Sequence, residues 1–438
     1  MKLFLVLPNQ LFEVKYLKKN NITKTSHKIV LYEHKQYITK YKFNKKKLLL
    51  HFASMDYYKD YLKKKGYQVE YVQYNESFNM KDYEMFESGD DIRGLKPCKT
   101  YENPNYLLTN ELREQYRKNT DKYLFNNFYM WSKEQLDIIP KVKSTDKDNR
   151  EKLHKTVKIP KLKSISKTDE SIVKQHNVRV NTEFKNNYGT TDNFQYPVTH
   201  KTARVFLIDF IKNKFKYFGS YQDYMREDDS YMYHSILSSS INIGLINPID
   251  IVEEIETHKK KVPLNSYEGY IRQLFWREYQ LYCYRTIPYK KELKTPFFGN
   301  VKKLNTSWYT GTTENEVVNK TIVKAFDTAY LHHIERLMVM GNYMNLCGIK
   351  AEEGLKWFME FSIDSYEWVM YQNVYDMVFF VTKTMRKPYV SGPNYILNMS
   401  DYPKGEWVDD WKSKYNSFVK KHKTKLWPYR YHFPTLVS

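Results

Sequence analysis

The chain has 438 residues, 71 Lys plus Arg against 50 Asp plus Glu, and a formal net charge of +21. Its 41% hydrophobic content excludes a disordered chain, and its length allows two or three domains with cores of their own. Three cysteines, Cys98, Cys283 and Cys347, form no CxxC pair, which excludes a disulfide framework and a metal site built on paired thiolates. The excess charge thus sits on a folded body beside 17% aromatics, a combination suited to polyanions, flat ligands or both. Part of the Lys and Tyr abundance fits an AT-rich genome, but the charge still attracts phosphate backbones.

Residues 1–135 read as an α/β domain. Lys2–Leu7 and His27–Tyr32 are short apolar runs, and Leu48–Leu50 centres a third. Met55–Lys65 is amphipathic and stops at Gly66, a helix terminator, and Gln68–Val72 alternates as a strand does. This order predicts a parallel sheet with helices on its faces, Rossmann-like but without a GxGxxG or P-loop. Leu3–Leu7 is too short for a signal-peptide core, and no stretch approaches the roughly 18 apolar residues that span a bilayer. A soluble intracellular protein is expected, without membrane contact, in nucleus, cytoplasm or virion.

Residues 136–200 read as a connector. Between Lys141 and Arg179 lie twelve Lys or Arg against five Asp or Glu with few apolar residues, the composition of a solvated surface segment. Residues 201–400 turn all-helical, with apolar periodicity over Ala203–Phe215, Tyr267–Tyr284, Val317–Met344 and Leu355–Phe361. Residues 401–438 form a basic, aromatic tail.

Four stretches of the helical half stand out from plain core. Met225–Pro248 gathers Tyr233, His234, Ser235, Ser238, Ser239, Ser240 and Asn242 at one helix start, the hydroxyls and free N–H groups a diphosphate needs, although such serines also serve as caps. Glu268–Gln280 places Arg272, Trp276, Arg277 and Tyr279 on one helix, where an ordinary amphipathic helix is the plainer reading. Ala329–Met344 holds adjacent His332 and His333. Asp364–Met377 carries Tyr366, Glu367, Trp368, Asn373 and Asp376. Together they favour a buried, polar, planar ligand.

With LVLPNQL, KKKLLLHFASMDYYKDYLKKKGYQVEYV, STDKDNREKL and FGSYQDYM in the same order, these motifs resemble the photolyase/cryptochrome superfamily. The similarity runs almost end to end, and within the superfamily the motifs look like the deoxyribodipyrimidine photolyase-related branch, the iron–sulfur bacterial photolyases. The resemblance implies an α/β N-terminal domain that often holds an antenna pigment, of lumazine or folate type, and an all-α C-terminal domain that binds FAD. It implies blue-light repair of UV-damaged DNA, cyclobutane pyrimidine dimers or (6-4) photoproducts, with the lesion flipped into a pocket. Carried over by position, Ser235, Ser238, Ser239 and Asn242 would hold the FAD phosphates, and Arg336 would pair with Asp364 against the flavin. Tyr233, His234, Glu268, Arg272, Met370, Asn373 and Asp376 complete the expected cofactor set. Trp276 would stack on the lesion beside Gln273 and Arg277, with His332 and His333 as the proton-moving pair. Trp357, with Phe358 and Tyr309 or Trp308, would relay electrons, and Glu33 and His51–Met55 are weaker antenna contacts.

Two departures qualify the likeness. A [4Fe–4S] cluster needs four thiolates, yet its first position falls at Val317, its pair at Pro403-Lys404-Gly405, and the final Cys-Pro is missing. No cluster and no other metal is expected, the tail packing instead by Trp407, Trp411 and Trp427. By the resemblance, Met370 stands where the family has a carboxylate facing the flavin N5, so either Asn373 is the substitute acceptor or the flavin's redox balance differs. The expected protein is a monomeric, FAD-dependent photolyase. The alternatives are a cryptochrome-like photoreceptor or a non-enzymatic DNA-binding protein on a degenerate fold.

Overall fold

The computed structural model describes residues 1–382, 384–433 and 436. Strands β1 (Lys2–Val6), β2 (His27–Tyr32), β3 (Val69–Val72), β4 (Tyr83–Phe86) and β5 (Lys99–Tyr101) form one parallel sheet in the order β3-β2-β1-β4-β5. Leu5 of β1 stands opposite Val30 of β2 and Met85 of β4. Phe4–Val6 and Ile29–Leu31 are buried, which is why these strands read as unbroken apolar runs rather than alternating ones. The strand order reverses beside β1, the doubly wound pattern expected for the first domain.

The third apolar run is not a strand. Leu48–Leu50 lies inside one 20-residue helix, Lys45–Lys64, capped by Asn44, whose side chain accepts from the Lys46 N–H at 2.9 Å. Every residue from Lys46 to Met55 is buried, so this half of the helix has no polar face to reveal its period.

The connector is more than a solvated linker. Its Lys167–Glu183 helix packs against Lys45–Lys64, with Val173 and Val180, two turns apart, turned inward. Ser166 caps it by accepting from the Asp169 N–H. Arg179 donates to both oxygens of Glu33 at 2.7 and 2.8 Å, so this charge is spent inside the fold.

In the helical half, the 23-residue Leu264–Thr286 helix is central and contacts Phe125–Leu136, Phe215–Tyr221 and Tyr371–Val378. The expected single helix over Val317–Met344 is broken. Glu316–Thr328 ends at Ala329, held at φ 58°, and the chain resumes as a π-helix over Glu335–Gly341 before Asn342–Leu346. Tyr371–Val378 is a second π-helix. The two meet where Gly341 leaves no room, since a Cβ there would lie 2.5 Å from Val378 Cγ2. In the tail, Trp407 and Trp411 are buried as expected from the Trp407–Lys421 helix, but Trp427 is 46% exposed.

Among the described residues no helix is long and apolar enough to cross a membrane. Nor is any group of three or more His, Cys, Asp or Glu among them placed to hold a metal ion.

Candidate active site

The short Ser238–Asn242 helix, ended by a sharp turn at Gly244, φ 85°, stands across from the long central helix and the two π-helices. Between them lies an inner cavity of about 270 Å³. Its polar wall is built around Asp364. Arg336 reaches Asp364 with both terminal nitrogens, at 2.9 and 3.2 Å, and donates from Nε to the Leu331 carbonyl. The hydroxyls of Ser238 and Ser362 also donate to Asp364, at 2.6 and 2.5 Å. Burial works to raise this carboxyl, but Arg336 and the hydroxyls outweigh it and hold it below the usual Asp range. Asp364 is therefore ionised throughout the neutral range.

Asn242 ties this wall to a second cation. Its amide donates to the Asp364 carbonyl at 2.8 Å, and its oxygen accepts from Arg277 Nε at 3.2 Å. The Arg277 guanidinium lies 4.7 Å from the ring centres of both Tyr106 and Trp368, which meet edge to face, and its Nη2 is buried without a protein partner. Ser235 faces the Tyr270 hydroxyl at 3.0 Å. Opposite lie Leu337, Met370, Val374, Met377 and Val378, an apolar wall with Asn373 at its edge.

An outer cavity of about 430 Å³ adjoins the inner one and shares Gln273, Gln280, His333, Leu337, Asn373 and Met377 with it. Trp276 and Arg272 line only the outer one, with Arg150, Lys387 and the tail residues His432 and Phe433. Trp276 is backed by Phe125, ring centres 3.6 Å apart and planes 8° from parallel, so one face is covered by protein. His333 is open to the cavities yet deep in the fold. Burial, then Arg336, draws its pKa from 6.5 to about 4, so the ring is neutral at neutral pH.

The structure thus brings Ser235, Ser238, Asn242, Gln273, Arg277, His333, Arg336, Phe358, Asp364, Met370 and Asn373 to the inner wall. Others of the expected set point elsewhere. His332 is buried and stacks on His234, ring centres 5.0 Å apart, behind the wall. Tyr233 packs against Tyr217 and Tyr221, and the buried Ser239 hydroxyl lacks a partner but does not line the cavity. Glu268 accepts from Tyr129 and from Thr145, anchoring the connector, and Arg272 donates to Asp146. Asp376 accepts from Tyr289 and Thr382, burial pushing it up to about 6.

Trp357 is buried and off the cavity, its indole N–H donating to the Trp308 carbonyl at 2.7 Å, with the ring of Phe358, which does line the cavity, 5.2 Å away. Tyr309 stacks on Tyr188 at 4.6 Å and donates to Glu360 at 2.9 Å. In the first domain Glu33 is saturated by Arg179, Tyr71 and the Tyr74 N–H, while His51 and Met55 are fully buried.

Sequence reasoning missed Tyr270, Gln280 and Tyr330 of the inner wall, and the burial of Lys47. Tyr270, Gln273, Arg277 and Gln280 share one stripe of the central helix, so spacing from Gln273 could have found Gln280. Lys47 gave no such signal, since Lys45–Lys47 reads as surface. It is buried, 4.6 Å over the rings of Phe43 and Tyr366, donates to the Ser365 carbonyl, and burial lowers its pKa to about 7.

A family model described as deoxyribodipyrimidine photo-lyase-related protein matches residues 4–88 and 78–196. A (6-4) photolyase of Agrobacterium fabrum is 38% identical over 224 residues, 50% of this chain and 44% of that enzyme. The match therefore spans less than half of that relative's length. Two uncharacterized proteins of Acanthamoeba polyphaga mimivirus are 46% and 40% identical over 85 and 109 residues, which cover 69% and 83% of their lengths and 19% and 24% of this chain. Among solved structures, a bacterial class III photolyase from Agrobacterium tumefaciens superposes with a TM-score of 0.60 at 14% identity, over 96% of this chain and 86% of that one. A cryptochrome from Synechocystis gives 0.58, also at 14% identity, over 97% and 88%. At such identity the superpositions speak for the fold.

Proposed function

We propose that this chain, whose residues 4–196 match the deoxyribodipyrimidine photo-lyase-related family model and whose fold is that of photolyases and cryptochromes, is a light-driven lyase that repairs UV-fused pyrimidine pairs in DNA. The observation that carries this reading is the pair of joined cavities: an inner one walled by an ionised, doubly bound Asp364 and an apolar face, opening past Gln273 and His333 onto Trp276.

The inner wall fits FAD. The unpartnered Arg277 Nη2 and the Ser235 hydroxyl offer donors to a polar ligand, and Met370, Leu337 and Val378 offer cover for a flat ring. The chemistry that a bound, reduced FAD supplies is a photoexcited electron for the fused pyrimidines. The protein's part is holding and exclusion. Arg336 and Asp364 fix one another, so neither reorganises when charge moves nearby. Met370 brings no strong hydrogen-bond acceptor, and Asn373, one turn away, adds an amide oxygen to the same wall.

In the outer cavity, the free face of Trp276 stacks on an extruded base while Phe125 holds the ring rigid. Splitting a cyclobutane pair needs no proton, whereas a (6-4) photoproduct does, and His333 is the titratable group at the junction. Trp357 and Phe358 form the inner part of an aromatic route away from the cavity.

The test is illumination of the reduced, purified protein with two oligonucleotides, one carrying a cyclobutane dimer and one a (6-4) photoproduct. Repair of at least one is expected, with a flavin absorption spectrum. Repair of neither overturns the reading, and a colourless protein that binds damaged and intact DNA alike would replace it with a binding role.

A further inference from the structure

The C-terminal segment carries a surface that the repair reading leaves unused. After Leu426 the backbone winds as a 3-10 turn over Trp427–His432. Leu426 and Phe433 are buried, and the Tyr429 ring lies 5.6 Å from Phe380 and 6.4 Å from Phe297. These residues anchor the turn. Trp427, Arg430 and Tyr431 point the other way, Trp427 46% and Tyr431 82% exposed. The Arg430 guanidinium lies 5.3 Å from the Trp427 ring centre and 4.7 Å from that of Tyr431. It donates to the Trp427 carbonyl and the Tyr431 hydroxyl, each at 3.2 Å, so the two rings and the cation form one fixed group.

Two further features say what this group faces. His432 and Phe433 are part of the outer cavity wall, so Tyr431 stands one residue from the opening that holds Trp276. No Asp or Glu follows Asp410, while Lys420, Lys421, Lys423 and Lys425 are all exposed on the approach. An anchored cluster of exposed rings set in positive charge beside a base-sized pocket matches the chemistry of unpaired DNA: flat apolar faces along a phosphate chain.

We propose that Trp427, Arg430 and Tyr431 are a stacking platform for unpaired DNA, taking bases next to an extruded lesion while the lysines hold the backbone. Extrusion removes a stacking partner from each neighbouring base, and the platform replaces it. This rests on the repair reading for its purpose, but the binding itself does not.

The experiment measures affinity for a lesion-free single-stranded oligonucleotide and for a lesion-bearing duplex, in the dark and across a range of salt. Trp427→Ala with Tyr431→Ala is expected to weaken single-strand binding about tenfold or more, with the slope against log salt unchanged because no charge is lost. Trp427→Phe with Tyr431→Phe should keep most of the affinity. Lys423→Ala with Lys425→Ala should instead lower the salt slope by about one to two. If the double alanine change disturbs the fold, Tyr431→Ala alone carries the same test, since its ring is 82% exposed. Single-strand binding within twofold of the parent for the alanine variant overturns the platform. A parent whose platform binds single strands but which ignores the lesion in duplex would remove the repair reading and leave the platform standing.

Discussion

Phe125 lies flat against Trp276 at a ring separation of 3.6 Å, from a helix of the first 140 residues onto the central helix of the second domain. The contact fixes which face of the indole remains for a ligand. It also fixes the ring's plane, since a side chain held flat against a neighbour loses little freedom when a base stacks on its other face. Trp276→Ala is expected to weaken binding of lesion-bearing duplex by about 1–3 kcal/mol, the range of one base–aromatic stack. Phe125→Ala should cost less, because the indole remains but must be ordered on binding. Titration of both variants with damaged and intact duplex checks the order.

Asp364→Asn removes the charge that Arg336 is built around. The guanidinium is then left buried without its counter-ion, a change that costs about 3–5 kcal/mol for buried pairs. Reduced flavin content on purification and a lower melting temperature are expected together. Normal flavin content would show that this pair is structural only.

Gly341→Ala would place a methyl 2.5 Å from Val378 Cγ2, forcing apart the two π-helices that carry Arg336 and Asn373. Overpacking of this kind costs about 1–3 kcal/mol. Val378→Ala in the same chain should restore part of the loss, because the clash is with that side chain. Urea unfolding of the single and double variants reads the compensation directly.

His51 offers a clean pH test. It is fully buried, and burial, with the nearby Lys47, lowers its pKa from 6.5 to about 3. Below pH 6.5 the unfolded chain takes up a proton here that the folded chain refuses. The stability owed to this position is thus complete above 6.5 and is lost as pH falls towards 3. In His51→Gln, the difference in unfolding free energy from the parent should shift in the variant's favour by up to about 1.4 kcal/mol per pH unit across that window. A difference that stays constant with pH would mean that His51 takes up its proton in the fold as readily as in the unfolded chain.

Trp357→Phe should stop light-driven reduction of bound flavin and leave repair by chemically reduced protein intact, because Trp357 lines neither cavity but touches Phe358, which lines the inner one. Transient absorption and a repair assay with dithionite-reduced protein separate the two outcomes.

Where the chain's own periodicity matched its burial, the sequence was enough. β1 and β2 read as buried parallel strands, the Leu264–Thr286 helix was visible within about three residues at each end, and Arg336 and Asp364, 28 positions apart, do meet. The failures share a cause. Lys45–Lys64 hid its helix because protein covers all sides of its first half, and Val317–Met344 hid its break because Ala329 adopts φ 58° without a glycine to announce it. Among the expected cofactor residues, Glu268 and Asp376 have the right chemistry for a site but spend it on Thr145 and on Tyr289 and Thr382.

Sequence by itself determined the composition of the site: a basic chain too poor in cysteine for a four-thiolate cluster, with serines, paired histidines and an Arg–Asp pair in a helical half. Only the tertiary structure decided which of them share a cavity. It turned His333 to the opening and His332 behind it, covered one face of Trp276, buried Lys47 and exposed Trp427. The physical reason is that a polar side chain's role depends on which partner reaches it first. That partner comes from elements tens to hundreds of residues away, where no local pattern records it.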